Sequence, residues 1–567
     1  MFKKYNEYLM LGLAALVMVL VTGLSLFPRG IGGDIWDLTY HLLRIESVKE
    51  ALTYGSYPAA VNPIFFDGYG YGSSLFYPDI FLVIPALMNM CGISLLLSYK
   101  LFLLMLTVAG TCTTYFAIKY MCGNRNCALV GSCVLMLSAY YLADISNRAG
   151  LSEYIACVFV PVLAAGIYDY FVCEGRKTWL MGVAFVGLVL SHTIMTYIGL
   201  LLTVIIFLSM LFFNKGRKTI FEKKRLVRLM VTALLSVLAV SYYIWPMLEQ
   251  MLSGKFRFEQ PWAHIGEYTQ TAESFFAPVG VFMYTAQFGV GIPVLFLLAS
   301  RVLLGKTRKK WADYMVIFGV CLLVAMTDVI PWKMLEGTSL NMIQFTYRFY
   351  PYALFAIVAG MMGIFAEKKD AGVITGKVLL FVAVLAVVCG IWQNRTCMNF
   401  GTRTPISKEY VYENNHWVGK GEWVPQGISE EIFNGQGART VRAESGIPLA
   451  FGTSGYNAYF FEINEETGRE YAAPLLYYKG YEAQILDWEG NVTELEVSRG
   501  EDGLVHISLP SEMNGSVEVW YKGTLIQTIS NIISALVIVL VPVTAFILYV
   551  KECKTNKEKV LDRGAEA

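Results

Sequence analysis

The first polar stretch of the chain carries side chains that could combine proton transfer with binding of a negative charge. In GGDIWDLTYHLLRI, residues 32–45, Asp34, Asp37, His41 and Arg44 follow one another at steps of three, four and three. On a helix these steps place all four side chains on one face. A carboxylate there could take a proton from a hydroxyl group, and the guanidinium could hold a phosphate. The alternative is a solvated amphipathic face with ion pairs between neighbouring turns.

A second stretch combines glycines with tyrosines. In FFDGYGYGSSLFYP, residues 65–78, Tyr69 and Tyr71 alternate with glycines. Glycine permits tight turns and a close approach of the backbone to a ligand, so these tyrosines could line a sugar or lipid site. The alternative is a belt of aromatic residues at a membrane interface.

Three later segments add polar residues inside apolar surroundings. Arg148 and Glu153 lie in SNRAGLSEY, His192 lies in LVLSHTIM, and Gln344 and Arg348 lie in IQFTYRFYPY. Ionisable groups at membrane depth are costly and are therefore candidates for binding or chemistry. A structural ion pair between Arg148 and Glu153 is the alternative.

The composition identifies the class of protein. Of 567 residues, 56% are hydrophobic and 16% are charged, whereas globular domains have about 45–50% apolar and about 25% charged residues. The mean hydropathy of +0.50 agrees. A soluble cytosolic protein, a disordered chain and a disulfide scaffold are excluded. The net charge of +1 does not indicate a nucleic-acid partner. The sequence predicts a mainly α polytopic membrane protein.

Apolar segments long enough to cross a bilayer predict about 12 transmembrane helices. The predicted spans are 8–27, 97–118, 127–143, 154–172, 178–192, 195–213, 228–247, 281–300, 312–330, 349–366, 376–393 and 526–550. Lysine and arginine collect in alternate loops, and by the positive-inside rule these loops face the cytoplasm. Both termini are then cytoplasmic. If residues 76–95 crossed the membrane, every later loop would change sides and the basic loops would face outward. We therefore expect a juxtamembrane or re-entrant segment there.

The same topology divides the chain into domains. We expect a transmembrane domain over 1–393 with a large first outer loop at 28–96, an extracytoplasmic domain over 394–525, and a final span and tail over 526–567. Alternating runs such as SVEVWY (516–521) predict that the extracytoplasmic domain is small and β-rich. Its tryptophans could stack on sugars or form its core; they are Trp417, Trp423, Trp488 and Trp520. The polar candidates in the membrane domain converge on the outer face.

Taken in order, these motifs resemble the GT-C superfamily of membrane glycosyltransferases. The motifs are GDIWDLTYHLLRI, GYGYGSSLFYPDIFLVIPAL, NRAGLSEYIA, LSHT and QFTYRFYPY, between about residues 33 and 352. In particular the chain is similar to the bacterial membrane family labelled pyruvoyl-tetrahydropterin-synthase-related and to YfhO-like proteins. The resemblance implies a bacterial plasma-membrane enzyme that takes sugars from polyprenyl phosphate with inversion at the anomeric carbon.

In GT-C enzymes an acidic residue early in the first outer loop is catalytic, which implies Asp34 or Asp37 as general base. We expect the remaining candidates to bind substrate or phosphate; they are His41, Arg44, Tyr69, Tyr71, Arg148, Glu153, His192, Gln344 and Arg348. The two aspartates are three residues apart, unlike the DxD or DE pairs of some subfamilies. A divalent metal is therefore possible but not indicated, and no cofactor is assigned.

The expected acceptor is a cell-envelope glycan, a teichoic-acid-like polymer or a glycolipid outside the cell. Membrane lipids are the other expected partners, and no nucleic acid is expected. Two other classes of function stay open. One is a lipid-sugar flippase or transporter, and the other is a non-catalytic assembly protein of the envelope.

Overall fold

A computed structural model describes residues 2–26, 35–213, 220–277, 287–399, 408–416 and 418–565. The catalytic candidate Asp34 lies outside the described residues. The helices before the sheet are α1 Phe2–Leu26, α2 Ile35–Thr53, α3 Ser73–Phe76, α4 Val83–Met90, α5 Leu95–Cys122, α6 Arg125–Met136, α7 Ala139–Ala143, α8 Leu151–Val172, α9 Trp179–Val189, α10 Thr193–Phe213, α11 Lys223–Ala239, α12 Ser241–Ser253, α13 Ile292–Leu303, α14 Lys310–Ala325, α15 Tyr350–Asp370, α16 Gly376–Asn399, α17 Lys408–Glu413 and α18 Glu430–Phe433. The helix α19, Leu525–Ala565, follows the sheet.

Seven of the described helices are long and apolar enough to cross a membrane, so the chain is a multi-pass membrane protein. Two bent pairs, α6 with α7 and α11 with α12, raise the number to nine if each pair crosses once. The helices α9, α13 and α14 have 11, 12 and 16 residues. At 1.5 Å per residue they reach only about 16–24 Å, less than the bilayer core of about 30 Å. The count of about 12 spans therefore stays a prediction.

The segment expected to be re-entrant contains a short helix. Its apolar helical part covers Ile80–Met90, and 11 residues extend about 16 Å. This helix is too short to cross a bilayer core of about 30 Å by itself. It packs against α2 and α5 instead.

Local sequence sets the ends of several elements around this region. The helix α5 ends at Gly123, whose φ of +76° is the left-handed conformation that glycine adopts without strain. Asn124 then caps α6 by accepting hydrogen bonds from the backbone of Asn126 and Cys127. After the 46° bend, a π-helical turn over Asp144–Arg148 ends at Ala149, which has a positive φ of +58°. This irregular turn brings Asp144 and Arg148 to the start of α8.

The C-terminal region contains the expected β-rich domain. Its strands are β1 Thr440–Ala443, β2 Pro448–Ala450, β3 Gly452–Gly455, β4 Ala458–Ile463, β5 Glu470–Leu476, β6 Tyr481–Asp487, β7 Val492–Arg499, β8 Leu504–Ser508 and β9 Gly515–Tyr521. They form one antiparallel sheet in the order β2-β1-β5-β8-β7-β6-β9-β4-β3. Alternate residues such as Val441, Phe461, Ile485 and Val517 point into one buried core. The part of 394–525 before Thr440 carries helical turns in its described residues and no strand.

The β-domain, residues 440–521, is attached to the loop that follows α2. Asn457 Nδ2 donates to the carbonyl of Val61 at 2.6 Å, and the backbone N–H of Leu476 donates to the carbonyl of Tyr69 at 2.8 Å. The domain therefore sits on the end of the helix bundle that carries α2. We call this the α2 end.

Candidate functional site

The helix α2 is buried on its polar face as well as its apolar face. His41 is 4% and Arg44 is 1% exposed, and Leu42 and Leu43 on other sides are also buried. The Asp37 side chain, one turn before His41, keeps 37% of its surface exposed. For His41 and Arg44 the alternative of a solvated face is therefore wrong. The face is covered because α4, α5 and the region before the sheet pack around α2.

Arg44 forms a buried ion pair with Asp79. Its Nε donates to Asp79 Oδ1 at 2.9 Å, and its Nη atoms donate to Ser152 Oγ at 3.1 Å and to the carbonyl of Pro78 at 2.8 Å. The ring of Tyr77 lies 4.6 Å from the guanidinium carbon. Arg44 thus links α2, the segment before α4, and α8. The donors of its guanidinium thus already have acceptors within the protein. The expected role of Arg44 as a phosphate ligand stays a prediction.

Arg148 lies at the centre of a second group of charges. Its Nη1 contacts Asp144 at 3.0 Å and Glu153 at 2.6 Å, and its Nε lies 4.0 Å from Asp37 Oδ2. The Nε of Arg348 lies 3.7 Å from Glu153 Oε2. The ion pair between Arg148 and Glu153, left open by the sequence, is present. The structure also adds Asp37 and Arg348, which come from distant parts of the chain, to the same group.

One donor in this group has no hydrogen-bond partner. Arg348 Nε is buried and, within the part of the chain that the structure describes, makes no hydrogen bond. The Nη1 of the same side chain donates to the carbonyl of Ile343 at 2.7 Å and to Gln344 Oε1 at 2.9 Å. The guanidinium is therefore held in place by these two bonds, and its Nε faces Glu153 at ion-pair distance.

Gln344 connects this group to the segment before the β-domain. Its Nε2 donates to Glu422 Oε1 at 2.9 Å, and Trp262 Nε1 donates to the same oxygen at 3.0 Å. The φ of Gln344 is +61°, a conformation that costs energy for a residue other than glycine. Burial raises the pKa of the Glu422 carboxyl, against the effect of both donors. Glu422 was not found from the sequence, since nothing local marks it.

Of the two candidate histidines, His192 packs against Tyr77, and His41 lies beside Arg44. His41 Nδ1 is 3.4 Å from Arg44 Nη1, and the His192 ring centre is 5.7 Å from that of Tyr77. His192 Nδ1 accepts from the backbone N–H of Met195 at 3.2 Å, so Nε2 carries the proton of the neutral ring. Burial, followed by the charges of Arg44 and Arg148, lowers the pKa of His41 well below its usual range. His41 is thus uncharged at neutral pH.

Tyr69 and Tyr71 do not line an open cleft. Both are buried, at 3% and 0% exposure. Tyr69 donates to the carbonyl of Ala438 at 2.6 Å, and Tyr71 accepts from the backbone N–H of Trp423 at 3.2 Å. The Trp423 ring lies 5.4 Å from Tyr77. These tyrosines therefore join the loop to the β-domain side, and Trp423 belongs to an aromatic cluster beside the histidines.

The donor set does not fit a metal ion. Among the described residues, no group of three or more His, Cys, Asp or Glu side chains is arranged to hold one. The carboxylates of the group, Asp37, Asp144 and Glu153, each face Arg148. We therefore derive no step through a metal.

Comparison with known proteins gives limited information. No family model and no curated protein matches the sequence. The arabinofuranosyltransferase AftD from Mycobacteria is similar in structure, with 13% identity over 91% of this chain and 40% of that one, at a TM-score of 0.46. The Archaeoglobus fulgidus oligosaccharyltransferase, in a complex with Zn and sulfate, has 14% identity over 70% of this chain and 54% of that one, at a TM-score of 0.40.

The chain thus spans about half or less of the length of these two proteins. Both TM-scores lie below 0.5, so these similarities carry no argument about activity.

Proposed function

We propose that this protein is an inverting membrane glycosyltransferase of the GT-C type. It moves a sugar from a polyprenyl-phosphate donor to an acceptor outside the cell, with a first-loop aspartate as general base. The observation that carries the proposal is the partly exposed Asp37 carboxylate beside the buried group formed by Arg148, Glu153 and Arg348. It supports the proposal because a partly exposed carboxylate lies next to fixed positive charge at one end of the helix bundle.

The proposed reaction begins at the acceptor. Asp37, or Asp34 three residues earlier, takes the proton from the acceptor hydroxyl as its oxygen attacks the anomeric carbon. The bond from that carbon to the phosphate oxygen breaks, and the electron pair leaves with the polyprenyl phosphate. A positioned general base contributes about 10²–10⁴-fold to such a step.

The charge that develops on the leaving phosphate needs a fixed partner. Arg348 is a candidate for this role, because its guanidinium is held in place by Ile343 and Gln344 beside Glu153. Arg148 contacts the same Glu153 oxygen and adds positive charge. Donors that are already oriented stabilise developing charge without further reorganisation. Because the donor is a lipid, the proposal needs no nucleotide-binding motif, and we find none in the sequence.

The experiment is glycosyl transfer by the purified protein in lipid, with a panel of polyprenyl-phosphate sugars. Wild type is compared with Asp37→Asn and Asp34→Asn after each variant has been shown to fold. We expect one of them to lose more than about 10²-fold in rate. Glu273→Gln is the matched control, because Glu273 is an exposed acid in another loop. If wild type consumes no donor and both asparagine variants still support the cell, the proposal is wrong.

One observation favours a second candidate, a lipid-sugar flippase. The bent pair of α6 and α7 ends in the π-helical turn with Asp144 and Arg148 buried, and transporters place charged groups at such broken helices. A fluorescent lipid-sugar in vesicles distinguishes the two. A flippase moves the lipid across the bilayer and leaves its glycosidic bond intact.

A further inference from the structure

A recess lies on the face of the β-domain sheet that points away from the domain core. It encloses about 230 Å³. Strands β3, β4, β6 and β9 contribute its outward side chains, which are Ser454, Ala458, Gln484, Glu518 and Trp520. Drug-sized ligands occupy pockets of about 300–1,000 Å³. This recess is smaller and suits a single sugar ring whose neighbours remain in solvent.

Strand register explains why the sheet is concave here. Trp520 on β9 lies opposite Ala458 on β4 and opposite Glu482 on β6. The small Ala458 side chain leaves space beside the large indole. Farther along, the Phe460 ring of β4 lies over Gly452 of β3. A Cβ atom added at Gly452 would be only 2.5 Å from the Phe460 ring, so the ring can lie there because residue 452 has no side chain. Phe460 is 39% exposed.

The polar groups next to the indole form a fixed pair. Gln484 and Glu518 are opposite each other on β6 and β9, and Gln484 Nε2 donates to Glu518 Oε2 at 3.0 Å. The pair still offers a second amide N–H, the amide oxygen and the other carboxylate oxygen. A pyranose has an apolar C–H face and an edge of hydroxyl groups. The indole ring can pack against the C–H face of the sugar, and the neighbouring donor–acceptor pair can bond its hydroxyl groups.

We propose that this recess binds a neutral sugar unit of a glycan. Trp520 stacks on the C–H face of the ring, while Gln484 and Glu518 bond its hydroxyl groups. Of the described residues that line the recess, Glu518 alone has a charged side chain. The Glu482 carboxylate nearby is already paired with Lys522 at 2.9 Å. A polyanionic glycan would meet repulsion here without a compensating lysine or arginine in the lining, so the occupant is neutral.

The position of the recess relates it to the loop after α2. The turn that joins β3 to β4 contains Tyr456 and Asn457, and both donate to the carbonyl of Val61. Ser454 and Ala458, in the lining, flank this turn. A glycan held at Trp520 would thus lie near the turn that contacts the loop after α2. The identification of this glycan as the acceptor rests on the proposed function. The binding of a sugar at the recess does not.

The test is binding of neutral oligosaccharides to the full-length protein in lipid nanodiscs, first on a glycan array and then by titration. We expect wild type to bind neutral glycans and to ignore anionic ones. Trp520→Ala should weaken binding at least about tenfold, which corresponds to about 1.4 kcal/mol. Glu518→Ala, at an exposed position, should weaken it similarly and is less prone to misfold. Trp488→Ala is the matched control, because Trp488 is 66% exposed on the same domain.

Three results would overturn the inference. One is no binding of any neutral glycan by wild type, and another is unchanged binding by both recess variants. The third is an equal loss in Trp488→Ala, which would mean non-specific contact with exposed tryptophan. Asp37→Asn should bind the glycan as wild type does. If the wild-type protein transfers no sugar while glycan binding persists, the proposed function falls and the sugar site stands.

Discussion

Arg44 and Asp79 offer a direct test of whether a predicted phosphate ligand has a structural role instead. The side chain of Arg44 is 0% and that of Asp79 is 5% exposed. The cycle consists of Arg44→Met, Asp79→Leu and the double variant. Each single change leaves one charge buried without its partner, and the double change removes both charges.

The structure sets the expected magnitudes. Unit charges separated by the 2.9 Å between Arg44 Nε and Asp79 Oδ1 attract by about 6 kcal/mol at an effective dielectric constant of about 20. Desolvation of two ions offsets much of this attraction, but a charge left without its partner costs about 3–5 kcal/mol. The double variant still leaves Ser152 and the carbonyl of Pro78 without the arginine donors, at about 1 kcal/mol each. We therefore expect about 3–5 kcal/mol lost in each single variant and about 2 kcal/mol in the double.

The measurement is reversible unfolding in mixed micelles, followed by tryptophan fluorescence. The loss in the double variant should be at least about 4 kcal/mol smaller than the sum of the two single losses. The control cycle uses Arg301 and Asp313, a pair at 2.8 Å whose side chains are 27% and 28% exposed. Solvent screens that pair, so its coupling should be about 0–1 kcal/mol.

Two results would contradict this reasoning. Additive losses would mean that Arg44 and Asp79 do not depend on each other. A double variant that folds well but no longer binds a polyprenyl-phosphate sugar would show that Arg44 is a phosphate ligand, as the sequence predicts. A stable double variant with wild-type donor affinity would assign Arg44 to the structure alone.

Three further predictions follow from other contacts. Because burial lowers the pKa of His41 below its ordinary 6.5, the unfolded chain binds the proton first. Stability should therefore fall as pH drops below about 6.5, by up to about 1.4 kcal/mol per pH unit, and His41→Gln should flatten this dependence in unfolding measurements. Glu422→Ala leaves the Gln344 amide without its acceptor, so hydrogen exchange should rise in the segment before the β-domain, and unchanged exchange would contradict the contact. Exposed positions Glu174 and Glu489 test the topology. An impermeant maleimide should label Glu489→Cys in intact cells and Glu174→Cys only after lysis, and the reverse pattern would invert the predicted orientation.

The sequence could predict the features that repeat along the chain. Apolar segments separated by basic loops indicate a membrane protein, and alternating runs indicate the β-domain, because each pattern is carried by consecutive residues. The steps between Asp37, His41 and Arg44 correctly place them along one helix. The sequence could also predict that Arg148 and Glu153 are close, because they are only five positions apart.

The tertiary structure decided which groups face one another and which are buried. Arg44 meets Asp79 across 35 residues, and Gln344 meets Glu422 across 78, where no local pattern marks either partner. The polar face of α2 has the spacing of a solvated helix, yet it is covered by elements from elsewhere in the chain. Whether a side chain is buried or paired depends on all the residues that surround it in space, and many of these are distant in the sequence. The sequence therefore supplied the candidate groups, and packing determined which are paired in the interior, as Arg44 is with Asp79, and which, such as Asp37, keep part of their surface exposed.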